Sequence, residues 1–222
     1  DRLEVTGTPV PVESGIWMIA GSGQAAVDYS SNGMLVFAPK GQLTVGNSTI
    51  AWMDRAGAVS PLLETLRTYV RPVISPDGQK VATAMNAANN DVWIYHIGRG
   101  VLSRLTFGGG NNDFPVWSPD SRFLVYSAEK GKSPNLFRKP WDGSGVEERL
   151  TTSPNTQLAS SFAPAGDLLS FIENGDIWIL PLDSTGKRDP WPFINSPANE
   201  RWGFFSPDGR WMVYSSAIFI SN

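Results

Sequence analysis

The sequence predicts an all-β fold: a five-bladed β-propeller built of four-stranded antiparallel blades, its ring closed by an N-terminal strand that completes the last blade. Three observations carry this. A short turn recurs as Ser30-Ser31-Asn32-Gly33, Ser75-Pro76-Asp77-Gly78, Ser118-Pro119-Asp120-Ser121, Ala163-Pro164-Ala165-Gly166 and Ser206-Pro207-Asp208-Gly209, at spacings of 45, 43, 45 and 43 residues. A second landmark, an aromatic residue in a short β-rich run, recurs in phase as Trp52, Trp93, Phe137, Trp178 and Phe219, at spacings of 41, 44, 41 and 41. The composition agrees. The 22 Gly and 17 Pro make up about 18% of the 222 residues, against roughly 12% in an average protein, so turns should be many and long helices few. Nine Trp favour packed sheets.

Each repeat reads as four strands. The first, innermost strand ends in a large apolar residue before the turn: Tyr29, Ile74, Trp117, Phe162 or Phe205. Pro at the second turn position presets φ, and Gly or Asn accommodates the tight corner. The second strand covers Leu35 to Ala38, Val81 to Met85, Phe123 to Ala128, Leu168 to Ile172 and Trp211 to Ser215. The third carries the aromatic landmark, in runs such as Asp91-Val92-Trp93-Ile94 and Ala217-Ile218-Phe219-Ile220. The fourth carries Leu62, Leu105, Leu150 or Phe193, after hairpins such as Gly98-Arg99-Gly100. Four strands in roughly 40–45 residues is the period of a propeller blade. The repeats run about 16–63, 64–106, 107–151, 152–193 and 194–222 plus 1–15, in one domain.

The ends support a ring. The fifth repeat stops after its third strand, and Thr8-Pro9-Val10-Pro11-Val12 aligns with the strand it lacks. Closure removes two exposed sheet edges. The link Ser215-Ser216 is short and lacks turn residues, so the fifth blade is expected to be irregular, or the chain to be cut from a longer propeller. A trimmed chain also fits a sequence that begins with Asp1.

Composition excludes several classes of chemistry. There is no Cys, hence no disulfide, thiolate metal site or Cys nucleophile. A net charge of −3 argues against a nucleic-acid partner. No apolar run reaches the ~20 residues of a membrane span. The single histidine, His96, lies where other repeats have Pro140 and Pro181, toward the outer rim, which disfavours a Ser-His-Asp system. Gly108-Gly109-Gly110 precedes no helix and reads as an inter-blade turn rather than a phosphate loop.

At the repeated Ser-Pro-Asp-Gly turns, through Ser75 to Thr106, Gly110 to Asp120, Leu150-Thr151 and Phe205 to Gly209, the chain resembles the TolB-type, WD-repeat-like bacterial β-propellers. It is also similar to the extracytoplasmic propeller of bacterial receptor-like serine/threonine kinases, although no kinase motif is present. The resemblance covers nearly the whole chain. It implies a binding module for a protein or small ligand, outside the cytoplasm in the periplasm or at the cell surface. The departures are Asn32, Ser121 and Ala165, where the repeat usually has Asp, Gly and Asp.

Function in such a scaffold concentrates on the loops at the channel mouth, which precede each innermost strand. Their polar residues are Gln24 and Asp28, Arg67 and Arg71, Asn111, Asn112 and Asp113, Asn155 and Gln157, and Asn199, Glu200 and Arg201. Asn111, Asn112, Asp113, Gln157, Asn199, Glu200 and Arg201 form a candidate ring of hydrogen-bonding groups for a protein, peptide or glycan, with Phe114 and Trp202 as candidate aromatic contacts. The same groups could instead cap turns or hold channel water, because buried polar groups need partners. The alternative is a hydrolase. In it Asp28, Asp113 and Glu200 converge as acid and base on a glycosidic or phosphoester bond, or hold a divalent cation in the channel. That chemistry requires the carboxylates within roughly 5–10 Å of one another. The binding reading needs no cofactor, and leaves Asp113 and Glu200 partly exposed.

Overall fold

The computed structural model describes residues 27–29, 35–37, 48–54, 56–85, 89–182 and 188–217. The candidate closing strand Thr8 to Val12, Gln24, the first turn and Phe219 lie outside the described residues. Among the described residues the fold is all-β, with five antiparallel sheets. The first contains β1 (Val27–Tyr29), β2 (Leu35–Phe37), β3 (Ala51–Met53) and β4 (Val59–Pro61). The second contains β5 (Tyr69–Ile74), β6 (Lys80–Met85), β7 (Asp91–His96) and β8 (Val101–Arg104). The third contains β9 (Asn112–Trp117), β10 (Phe123–Ala128), β11 (Asn135–Pro140) and β12 (Glu148–Arg149). The fourth contains β13 (Gln157–Phe162), β14 (Leu168–Glu173), β15 (Asp176–Pro181) and β16 (Trp191–Ile194). The fifth pairs β17 (Asn199–Phe205) with β18 (Met212–Ala217). The apolar residues expected to end the innermost strands, Tyr29, Ile74, Trp117, Phe162 and Phe205, are the last residues of β1, β5, β9, β13 and β17.

The Ser-Pro-Asp-Gly turn owes its recurrence to a closed hydrogen-bond circuit. Ser75 Oγ donates to Asp77 Oδ1 at 2.5 Å and accepts from Lys80 N–H at 2.9 Å, while Asp77 Oδ1 also accepts from Gln79 N–H at 3.0 Å. The circuit repeats with Ser118, Asp120, Arg122 and Phe123, and with Ser206, Asp208, Arg210 and Trp211. Each turn is closed by the fourth residue's N–H on the first residue's carbonyl, and that fourth residue has φ near +60 to +80°: Gly78, Ser121, Gly166 and Gly209. Ser121 pays for that conformation with a tie to the neighbouring turn, its Oγ accepting from Asp77 N–H at 3.0 Å. Ala163-Pro164-Ala165-Gly166 keeps the closing backbone bond but has no side chain to make the circuit.

The core lies between sheets. Val36, Ile50 and Leu63 of the first repeat pack with Tyr69, Ile74, Val81 and Met85 of the second. Ala82, Val92, Ile94 and Leu105 pack with Trp117, Leu124, Tyr126 and Phe137, and Val125, Leu136 and Leu150 with Ala159, Leu169, Phe171 and Leu180. Successive innermost strands lie side by side, β1 by β5, β5 by β9, β9 by β13 and β13 by β17. The fifth sheet is different. Ala217, expected to open a third strand, is the last residue of β18, pairing with Asn199, because nothing in Ser215-Ser216 turns the chain. Phe204, Val213 and Tyr214 of this sheet, and Trp211 just before β18, are exposed.

Two outcomes test this account. Trp117 is buried in the second joint, with its indole N–H donating to Val73 O at 3.1 Å; Trp117→Ala should cost about 3–5 kcal/mol in urea unfolding. The double substitution Ala163→Ser/Ala165→Asp should rebuild the missing circuit and add about 1–2 kcal/mol. In the three intact turns burial acts to raise the Asp77 and Asp120 carboxyls, but the Ser hydroxyl and backbone N–H groups, with Lys80 beside Asp77, hold them below the usual range; in Asp208 the Ser206 bond leads. A depressed folded pKa stabilises above the unfolded value, so the engineered gain should be present at pH 7 and fade as pH falls below about 4.

Candidate functional site

The residues that open the inner strands do not point at a common axis. The sixth residue before each turn is Tyr69, Asn112, Gln157 or Glu200, and all four are buried. In the last three the backbone N–H donates to the residue just before the preceding sheet's third strand: Asn112 to Asn90 O at 2.8 Å, Gln157 to Pro134 O at 2.9 Å and Glu200 to Gly175 O at 2.6 Å. Their side chains continue the joint. Asn112 Nδ2 donates to Asp91 Oδ1, which also accepts from Thr106 Oγ1. Gln157 accepts from Thr151 Oγ1 and donates to Glu173 Oε2 at 2.7 Å. Glu200 Oε1 accepts from Ser196 and Ser216, while its Oε2 has no partner. Glu200 is 1% exposed, not partly exposed as its place before the turn suggested, because the sixth residue before the turn is wedged between sheets.

The other candidates divide between rim and joint. Asn111, Asn199 and Arg201 are exposed, and Asn155 is half-buried. Asn111 bonds Glu129 and Asn90 N–H. The three candidate acids serve three separate joints. Asp28 accepts from Ile74 N–H at 2.8 Å, Asp113 pairs with Arg71 at 2.5 Å and with Asn90, and Glu200 lies between the fourth and fifth sheets. Asp176, at the same joint as Glu200, has its carboxyl pushed up by burial and by the Glu200 charge. No group of three or more His, Asp or Glu suited to a metal ion occurs among the described residues. His96 ends β7 with its ring edge-on to Trp141 at 4.9 Å.

What faces the axis is set by a bulge. In each of the four described innermost strands from the second sheet onward, pairing slips by one residue at the same place: between Val70 and Val73, Asp113 and Val116, Ala159 and Ser161, and Arg201 and Phe204. A bulge re-aims a side chain without ending the strand. Three of these hold bulky residues in the left-handed region: Arg71 at φ 51°, Phe114 at 56° and Trp202 at 59°. Each such residue costs of order 1–3 kcal/mol. Their side chains stack across the middle of the molecule. The Arg71 guanidinium lies 3.9 Å from the Phe114 ring centroid, and Phe114 stacks on Trp202 at 5.7 Å and 21°. Around them is a cavity of about 410 Å³ lined by residues of all five sheets, among them Asp28, Arg71, Phe114, Ser160 and Trp202. The prolines Pro76, Pro119 and Pro164 of the turns lie in its wall. Sequence reading named Arg71, Phe114 and Trp202 but not Ser160. The signal was positional: these residues stand three or four places before the turn, one strand step beyond the polar residues that drew attention.

Glu200 supplies a test. Where the two preceding joints place an amide, Asn112 or Gln157, it places a second carboxylate beside Asp176. A raised folded pKa means that ionising Asp176 weakens the fold as pH climbs above the ordinary carboxylate value. Glu200→Gln should therefore raise the melting temperature at pH 7–8 by about 2–4 °C, with the advantage shrinking toward pH 4.

Comparison with known proteins agrees with the architecture. The model of the TolB beta propeller domain matches residues 55–218. Atu1656 of Agrobacterium fabrum is 29% identical over 187 residues, which is 82% of this chain and 62% of that protein, so the chain spans less than two thirds of this relative. A TolB-like structure from Agrobacterium tumefaciens superposes with a TM-score of 0.67 at 23% identity, over 86% of this chain and 73% of the other. TolB from Acinetobacter baumannii gives 0.69 at 15% identity, over 83% and 46%. With the match running through the second to fifth sheets, the chain belongs to the TolB beta-propeller domain family.

Proposed function

We propose that this chain is a non-catalytic binding propeller that takes a protein or peptide segment at the central cavity. One observation carries the reading: three bulky residues, Arg71, Phe114 and Trp202, held in left-handed backbone at equivalent bulges and stacked across the axis. Strain of this kind persists where the surrounding structure fixes it, and it clusters at ligand sites. Aromatic and Arg side chains are also those that dominate binding interfaces. Asn111, Asp113, Asn199 and Arg201 then form a polar rim, while Asn112, Gln157 and Glu200 act through the joints that position it. Family membership supports a protein ligand and a place outside the cytoplasm; no helix among the described residues is long and apolar enough to cross a membrane. The same reading takes the five sheets as five blades, with Thr8 to Val12 completing the fifth.

The test uses Phe114→Gly/Trp202→Gly. Glycine occupies left-handed backbone without strain, so lost packing and relieved strain offset each other and the melting temperature should hold within a few degrees. Peptides selected on the wild-type chain from a random phage-displayed library should lose affinity for the variant by roughly 100-fold. Equal binding to both proteins would place the site elsewhere.

A further inference from the structure

Resting on the central cavity as the binding site, we infer that it is built to receive a carboxylate attached to a flat apolar group. Among the described residues, three that line the cavity carry a buried polar atom without a partner: Arg71 Nε, Ser160 Oγ and Trp202 Nε1. They come from the second, fourth and fifth sheets. All three can donate, so the occupant they await is an acceptor. A buried donor left unpaired costs about 1–3 kcal/mol, and the sites on Arg71 and Trp202 come on top of left-handed backbone at the same residues.

The form of Arg71 narrows the acceptor. Asp113 engages its Nη1, on the side of the guanidinium away from Nε. The orphaned Nε lies on the edge that grips a carboxylate through two parallel N–H···O bonds. A neutral carbonyl offers those donors a single oxygen and no charge. Ser160, 7% exposed, and the Trp202 indole supply further donors to the same group, as a planar acid with about four lone-pair sites can accept them. These atoms are buried around the same cavity as the Arg71–Phe114–Trp202 stack. A ligand reaches them by parting that stack, and a flat ring beside the carboxylate replaces the ring contact that is lost. The cavity of about 410 Å³ accommodates a group of one or two side chains, within the roughly 300–1,000 Å³ range of ligand pockets. The carboxylate can belong to the C-terminus of a peptide or to a free aromatic acid.

The probes are a tetrapeptide ending in free phenylalanine, its C-terminal amide, and N-acetyl-phenylalanine, titrated by calorimetry into the whole chain. The free-acid peptide should bind at least tenfold more tightly than the amide, one charged hydrogen bond being worth that much. Trp202→Phe, which keeps the ring and removes the N–H, and Ser160→Ala should each remove about fivefold or more of this preference without lowering the melting temperature. Tighter binding of the tetrapeptide than of N-acetyl-phenylalanine assigns the carboxylate to a chain end; the reverse assigns it to a free acid. Equal binding of acid and amide, or no binding of either, overturns the carboxylate inference while the library experiment still decides the channel reading. Unchanged preference in Trp202→Phe and Ser160→Ala overturns it as well.

Discussion

The second and third sheets are apolar on both faces, so neither can be stable without a neighbour on each side. Val81 is buried against the first repeat while Ala82, the next residue, is buried against the third; Leu124 and Val125 divide in the same way. The alternation of a β-strand sends successive side chains to opposite faces, and a radial stack is the arrangement that buries both. The rest follows. Stacked sheets put polar strand openings into joints, where they need partners, and the joints supply them through Asp91, Thr106, Thr151 and Glu173. The innermost strands enclose a cavity because twisted sheets packed face to face cannot meet at the axis. The fifth sheet, with two described strands, leaves Val213 and Tyr214 exposed where a flanking sheet would bury them.

The repeat was legible because it is made of local chemistry. A Ser, a Pro, an Asp and a Gly within four residues specify a turn whose hydrogen bonds are nearly all internal, so sequence spacing translates directly into strand spacing. Even its failures were legible: Ala163 and Ala165 stand where the circuit is absent. The strand ends Tyr29, Ile74, Trp117, Phe162 and Phe205 came with it.

The site was less legible, because facing direction in the innermost strand depends on the bulge. Without the slip, counting back from the turn by twos places Asn112, Gln157 and Glu200 on one face and invites them into the channel. The extra residue reverses that assignment for what precedes it, moving them into the joints, while Arg71, Phe114 and Trp202, at the bulge itself, line the cavity. The local mark of a bulge is the residue after each inward one, Pro72, Pro115 or Gly203, since Pro and Gly inside a strand are typical of bulges; the residues forced left-handed there are types that seldom adopt it. Ser160 went unseen because its strand reads Ala159-Ser160-Ser161 at that point, with no bulky side chain to mark the inward position.

The bulges also separate what the molecule recognises from what holds it together. An inserted residue lies outside the register of the strand pair, so the ladder on either side survives whatever side chain it bears. Arginine, phenylalanine and tryptophan already occupy equivalent places in three sheets, with a serine one step on in a fourth. The inner wall is in that sense a row of interchangeable settings on an invariant mount. A lineage of such chains can acquire new ligands by exchanging four side chains while the turns, the joints and the apolar faces stay under their own, independent selection.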